Sequence, residues 1–142
     1  MIAPESAARE HVLDAHEETV ASVLRCADQV AGTWRADAAT DREAVVEPFS
    51  RRLRDAGAMA RLPDVLSGAV SAAGFSMRAT PVPAPPYVVV TGRGPMLRAT
   101  VSTGRLVVLL RAFDVIREGE TRYVRGPDDP RDAVSVDFSE TK

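Results

Sequence analysis

Residues 104–117 read Gly-Arg-Leu-Val-Val-Leu-Leu-Arg-Ala-Phe-Asp-Val-Ile-Arg, and this stretch decides the fold. It is rich in the β-branched and apolar side chains that suit a pleated surface. In an extended chain Leu106, Val108, Leu110 and Ala112 point one way. Arg105, Val107, Leu109, Arg111, Phe113, Val115 and Arg117 point the other. The run is long for one strand, so a bend or bulge is expected near Arg111. Both flanks carry apolar groups, and one layer of helices covers only one flank fully. Val107, Leu109, Phe113 and Val115 therefore form a candidate dimer face, with a second copy of the chain as its cover.

The neighbouring segments supply partners for this strand. Residues 87–91 are Val-rich and extended, and Gly92-Arg93-Gly94-Pro95 turns the chain. Residues 96–102 alternate, with Leu97, Ala99 and Val101 on one face and Arg98 and Thr100 on the other. Thr103-Gly104 is a two-residue hairpin signal. Beyond the long strand, Glu118-Gly119-Glu120 turns the chain into a strand over 121–125. A Gly/Pro/Asp loop follows over 126–131. Val134, Val136 and Phe138 alternate again, which fits either a last edge strand or a frayed tail within 127–142.

The first half has helical rather than strand periodicity. Val12, Leu13, Val20, Val23, Leu24, Ala27, Val30 and Ala31 share one face, which predicts one long helix over 5–32. Acids crowd its N-terminal half, where the helix dipole favours them. Gly32 is its expected stop, and Trp34 caps the core behind it. Thr40 and Glu43 form a Thr-x-x-Glu capping signature for a second helix carrying Val45, Val46, Phe49 and Leu53. Pro48 either kinks that helix or opens a new one at its first position; we favour the kink. Gly57 ends it, and residues 56–59 connect. A third helix is expected to start at Pro63, with Val65, Leu66, Ala69 and Val70 as its stripe and Gly74 as its stop. Residues 81–86, Pro-Val-Pro-Ala-Pro-Pro, read as an extended connector.

The expected fold is therefore α+β. Three N-terminal helices pack on one face of a C-terminal antiparallel β-meander of three to five strands. Residues 1–142 are read as a single domain, divided into a helical half 1–74, a connector 75–86 and a sheet half 87–138. At 142 residues with 45% apolar side chains, such a domain needs no disulfide or metal to hold its core. The single cysteine, Cys26, cannot form an internal disulfide and fits a reducing, cytoplasmic setting. No run of about 18 apolar residues suggests a membrane span, and the first ten residues lack a secretory pattern.

Charge is unevenly distributed. Residues 1–57 hold seven arginines against eleven acids, and residues 78–126 hold eight against three. Seventeen of the basic residues are Arg, and Lys142 alone is Lys. The opposed halves attract at their margins. A second consequence is a cationic sheet face. Arg98, Arg105, Arg111 and Arg117, with Phe113 and with Arg122 or Arg125 from the next strand, form a candidate anion or nucleic-acid face. Aromatic residues are only 5% of the chain, and no RNP aromatic motif occurs.

No catalytic set is found, and no metal or cofactor is expected. On one continuous helix His11 and His16 lie about 140° apart and cannot share a ligand. His11 falls on a polar face with Asp14 and Glu18. His16 falls on the apolar stripe, as a core or interface histidine. Cys26 reads as a small structural thiol, Gly92-Arg93-Gly94 as a hairpin turn rather than a phosphate loop, and Arg51, Arg52 and Arg54 as cations suited to a helix C-terminus.

The run from Pro85 to Thr91, Pro-Pro-Tyr-Val-Val-Val-Thr, and the run from Arg93 to Thr100, Arg-Gly-Pro-Met-Leu-Arg-Ala-Thr, resemble a stretch in small haloarchaeal proteins of unknown function. The opening from Arg9 to His16 resembles their start as well. The shared positions are packing and turn residues, so the resemblance implies a salt-rich cytoplasm but no activity. The residues themselves point to a non-enzymatic interaction module, a homodimer. The alternatives are nucleic-acid binding through the arginine face, or a small-ligand site where helices meet the sheet, using His16.

Overall fold

The computed structural model describes residues 2–141, so Lys142 at the end of the acidic tail lies outside the described residues. The chain runs through α1 (Pro4–Ala15), α2 (Glu17–Ala31), β1 (Ala38–Ala39), α3 (Glu43–Asp55) and α4 (Ala58–Ala72). It continues through β2 (Val88–Val90), β3 (Pro95–Val101), β4 (Gly104–Leu110), β5 (Phe113–Ile116), β6 (Arg122–Arg125), α5 (Pro130–Ala133) and β7 (Val134–Glu140). The α+β class holds, but the architecture differs from one meander under three helices. Two antiparallel sheets form, in the orders β2-β3-β4-β7 and β1-β6-β5.

The deciding stretch divides between them. Over β4 the alternation holds: Leu106, Val108 and Leu110 are fully buried, while Val107 and Leu109 are half-buried on the other side. At Arg111 and Ala112 the backbone leaves the ladder. The Arg111 amide donates to the Ala133 carbonyl, and the Ala112 and Phe113 amides both donate to the carbonyl of Arg93. The expected bend is thus a corner at which the strand passes from one sheet to the other. The parity changes there, so Phe113 enters the core instead of continuing the outer flank. Its ring lies 5.2 Å from Phe49 and 5.7 Å from Trp34, and it is fully buried. The 92–94 turn is the block against which the corner is built. A Cβ on Gly94 would sit 1.9 Å from the Leu110 carbonyl oxygen, so only glycine lets the turn approach so closely.

The helical face of the larger sheet is one apolar surface. Register places Val88 beside Leu97, Leu97 beside Val108, and Val108 beside Val136. Fully burying one such aliphatic side chain contributes about 1.5–3 kcal/mol. Val88, Leu97 and Val108 share one buried cluster with Val12 of α1, Val23 of α2, Phe49 of α3 and Leu66 of α4, and half-buried Val136 packs against it. The tail is ordered as β7 on the far edge of β4. Arg9 ties it to α1, donating from Nε to the Val134 carbonyl (3.1 Å) and from Nη2 to that of Arg131.

Helix boundaries shift for local reasons. The long first helix breaks at His16, whose φ of −121° is not helical. At the start of α3, the second expected helix, Thr40 makes no cap, and the Glu43 amide donates instead to Asp41 Oδ1 at 3.0 Å. Pro48 stays inside α3. The third expected helix starts at Ala58, five residues before Pro63, so the connection shrinks to Ala56-Gly57. Gly74 does stop α4, with the Phe75 amide donating to Val70 and the Gly74 amide to Ser71. Gly32 remains right-handed helical at φ −66°. The hairpin between β3 and β4 turns on Ser102-Thr103, one residue earlier than expected, since Val101 pairs with Gly104.

Candidate functional site

The outer face of the four-stranded sheet is arranged in registered rows. One row is Val89, Met96, Leu109 and Ser135; the next holds Arg98, Val107 and Asp137; the last holds Thr100, Arg105 and Ser139. The apolar centre is half-buried, while Thr100, Arg105, Ser135, Asp137 and Ser139 are exposed. Two of the four expected dimer-face residues, Val107 and Leu109, lie here. Val115 is half-buried on the other sheet, and Phe113 is in the core.

The arginines divide in the same way. Arg98 and Arg105 occupy adjacent rows of neighbouring strands on the outer face. Arg111 sits at the corner, where its Nη1 meets Asp114 Oδ1 at 3.2 Å and its Nη2 donates to the Asp132 carbonyl. Arg117 lies past the end of β5, beyond the other sheet. Arg125 is committed to the helical half. It meets Asp28 Oδ1 at 2.8 Å and donates to the carbonyls of Ala112 and Pro127 at 2.7 and 2.8 Å. Arg105, Arg111 and Arg117, which share one side of a single extended strand, thus end on the outer sheet face, at the corner and past the end of β5.

A cleft forms where β3 runs on past the end of β2. The last bond across that edge is from the Arg98 amide to the Tyr87 carbonyl, at 2.8 Å. Beyond it Thr100 and Ser102 have no strand beside them on the β2 side, and the chain around Arg78 forms the opposite wall. The cleft has a volume of about 600 Å³ and is lined by Arg78, Tyr87, Arg98, Thr100, Ser102 and Arg105, among others. Among the described residues its lining contains three arginines and no acid. Two other concavities mix signs: one combines Glu10, Asp14, Glu17 and Asp129 with Arg131, and another combines Glu17 and Glu18 with Arg25 and Arg61. Pattern reading missed Arg78 and Tyr87. Arg78 lies in an aperiodic connector, where nothing in the sequence assigns it a face.

The histidines are placed unlike the expectation. Because the helix breaks at His16, the His11 and His16 rings meet edge to face, with centroids 5.3 Å apart. Both are half-buried against α4. Burial holds the His16 imidazole below its ordinary pKa, His11 adds to the effect, and Asp64 opposes it. Cys26 is buried, as a structural thiol would be, and its Sγ donates to the Arg52 carbonyl at 3.6 Å. Burial raises its pKa, with Arg25 and Arg52 pulling the other way, so the reactive thiolate is disfavoured. Among the described residues no helix is long and apolar enough to cross a membrane.

Searches of curated proteins and of solved structures give no match. One family model does match, over residues 6–139, which runs from within α1 to within β7. The chain therefore belongs to DUF7988, a family whose domain has no assigned function.

Proposed function

We propose that this chain is a non-enzymatic binding module whose Arg78–Arg98–Arg105 cleft takes a compact polyanion of the phosphate class. The observation that carries the reading is the gathering of three guanidinium groups in one cleft without an acid. Guanidinium forks pair with phosphate oxygens in bidentate fashion and stay charged at any working pH. The Thr100 and Ser102 hydroxyls add neutral donors. The arginine set is short. Arg111 is paired with Asp114, and Arg117 lies beyond the other sheet, so among the described residues no cationic track continues from the cleft. That favours a compact anion over a nucleic-acid strand. A salt-rich cytoplasm, implied by the resemblance to haloarchaeal proteins, would demand several close contacts rather than one long-range attraction.

Calorimetric titration with inorganic pyrophosphate tests this reading. A saturable 1:1 complex is expected, weakening as salt is raised from about 50 to about 200 mM. Arg98→Ala and Arg105→Ala should each weaken it about tenfold or more, while Arg117→Ala should not. Absence of binding, or equal binding by all variants, contradicts the proposal. Tighter binding of a single-stranded oligonucleotide than of pyrophosphate would favour the nucleic-acid alternative.

The second reading is a homodimer through the outer face, favoured by the half-buried stripe of Val89, Met96, Val107 and Leu109 in its centre. Sedimentation would detect it. A monomer at high micromolar concentration in salt would contradict it.

A further inference from the structure

The outer face of the β2-β3-β4-β7 sheet carries opposite charges on opposite flanks. Arg98 of β3 and Asp137 of β7 stand in one row, with Val107 of β4 between them. Two strand spacings, about 10 Å, separate their backbones. Arg98 is half-buried and Asp137 is exposed. Among the described residues neither side chain forms an ion pair. Met96, Val107 and Leu109 make a half-buried apolar centre between the two flanks.

We propose that this face joins two copies of the chain about a two-fold axis running along the strands, so that each copy's Arg98 meets the other copy's Asp137. The inference rests on the homodimer reading above and specifies which residues meet. A two-fold contact joins one patch to itself, so the direction of the axis decides which charges oppose each other. An axis along the strands lays the β3 side of one copy over the β7 side of the other and keeps each row opposite itself. The apolar centres then close on each other, and the stem of Arg98 covers apolar surface while its head stays at the flank. Sheets packed face to face lie about 10 Å apart and within about 30° of parallel, a gap that an arginine and an aspartate side chain span together. An axis across the strands would instead lay β7 over β7, acid towards acid, and β3 over β3, where Arg98 finds no carboxylate. Arg105 stays on the exposed last row. Arg98 also borders the cleft, so an anion bound there draws on the guanidinium that the second copy uses.

The test is sedimentation equilibrium of the full chain in phosphate-free buffer. Wild type is compared with Arg98→Glu, with Asp137→Arg, with an equimolar mixture of these two variants, and with the double exchange. Each single exchange sets like charges opposite each other, so the dimer should weaken about tenfold or more. The mixture and the double exchange both restore opposite charges across the axis, and both should recover the dimer. Recovery in the mixture also shows that each variant is folded. A wild-type monomer at high micromolar concentration would overturn the homodimer reading and this inference with it. A wild-type dimer that the single exchanges leave intact, or that neither the mixture nor the double exchange recovers, would keep the homodimer and overturn this pairing.

Discussion

Phe113 shows how much one side chain's direction can depend on distant contacts. Strict alternation from Leu106 puts it on the outer flank, yet it is fully buried between Trp34 and Phe49. The residues before it were legible, because parity within β4 is local. Phe113 was not, because its direction depends on two amides bonding to Arg93, twenty residues back. Phe113→Ala should cost about 3–5 kcal/mol in urea unfolding, whereas Val115→Ala, half-buried two residues on, should cost well under that. Equal losses would place Phe113 on the surface after all. His16 makes a second residue-scale prediction. Its folded-state pKa lies below 6.5, so the unfolded chain binds the proton more readily. That contribution is complete above the unfolded pKa and is lost as pH falls from about 6.5 towards the folded pKa. Thermal melts from pH 7 to pH 5 should therefore show falling stability, and His16→Gln should flatten that part of the slope.

At the scale of elements, the sequence was most readable where one periodicity ran uninterrupted. The stripes of α2 and α4 and the strands β3, β4 and β7 all follow their patterns. Boundaries were less readable. The capping box expected from Thr40 and Glu43 does not form at the start of α3, where the Glu43 amide bonds Asp41 Oδ1 instead. Pro63 suits a first helical position, but α4 begins earlier, because Ala58, Met59 and Leu62 bury themselves in the core. The break at His16 has no Gly or Pro to announce it. Packing explains it: α1 lies along β7 and α4, whereas α2 lies along α3, and one straight helix does not follow both. The corner between the sheets rests on the close approach of the 92–94 turn. Gly94→Ala forces a carbon to within 1.9 Å of the Leu110 carbonyl oxygen, so the backbone must move. The expected loss is about 1–3 kcal/mol, measured by chemical denaturation. A neutral effect would mean that the corner does not depend on that approach.

Over the whole molecule, the acidic helical half and the basic sheet half do meet, through few direct pairs. Among the described residues the ion pair that joins them is Arg125 with Asp28. Arg125 is largely buried and also serves three backbone carbonyls, of Leu24, Ala112 and Pro127. Asp28 is mostly exposed. Removing Arg125 should therefore cost about 1.5–3 kcal/mol through orphaned carbonyls, while Asp28→Ala should cost under about 1 kcal/mol. A larger loss from Asp28 would show the charge pair to dominate. The remaining cationic excess was legible as a total but not as a place, because a connector wall and an uncovered strand edge define the cleft. The most direct measurement of its role is the backbone amide spectrum of the labelled protein during addition of pyrophosphate. The account predicts saturable shifts at Arg78, Tyr87, Arg98, Thr100, Ser102 and Arg105, with the 111–117 stretch unmoved. Shifts centred on 111–125, or no shifts at all, would contradict it.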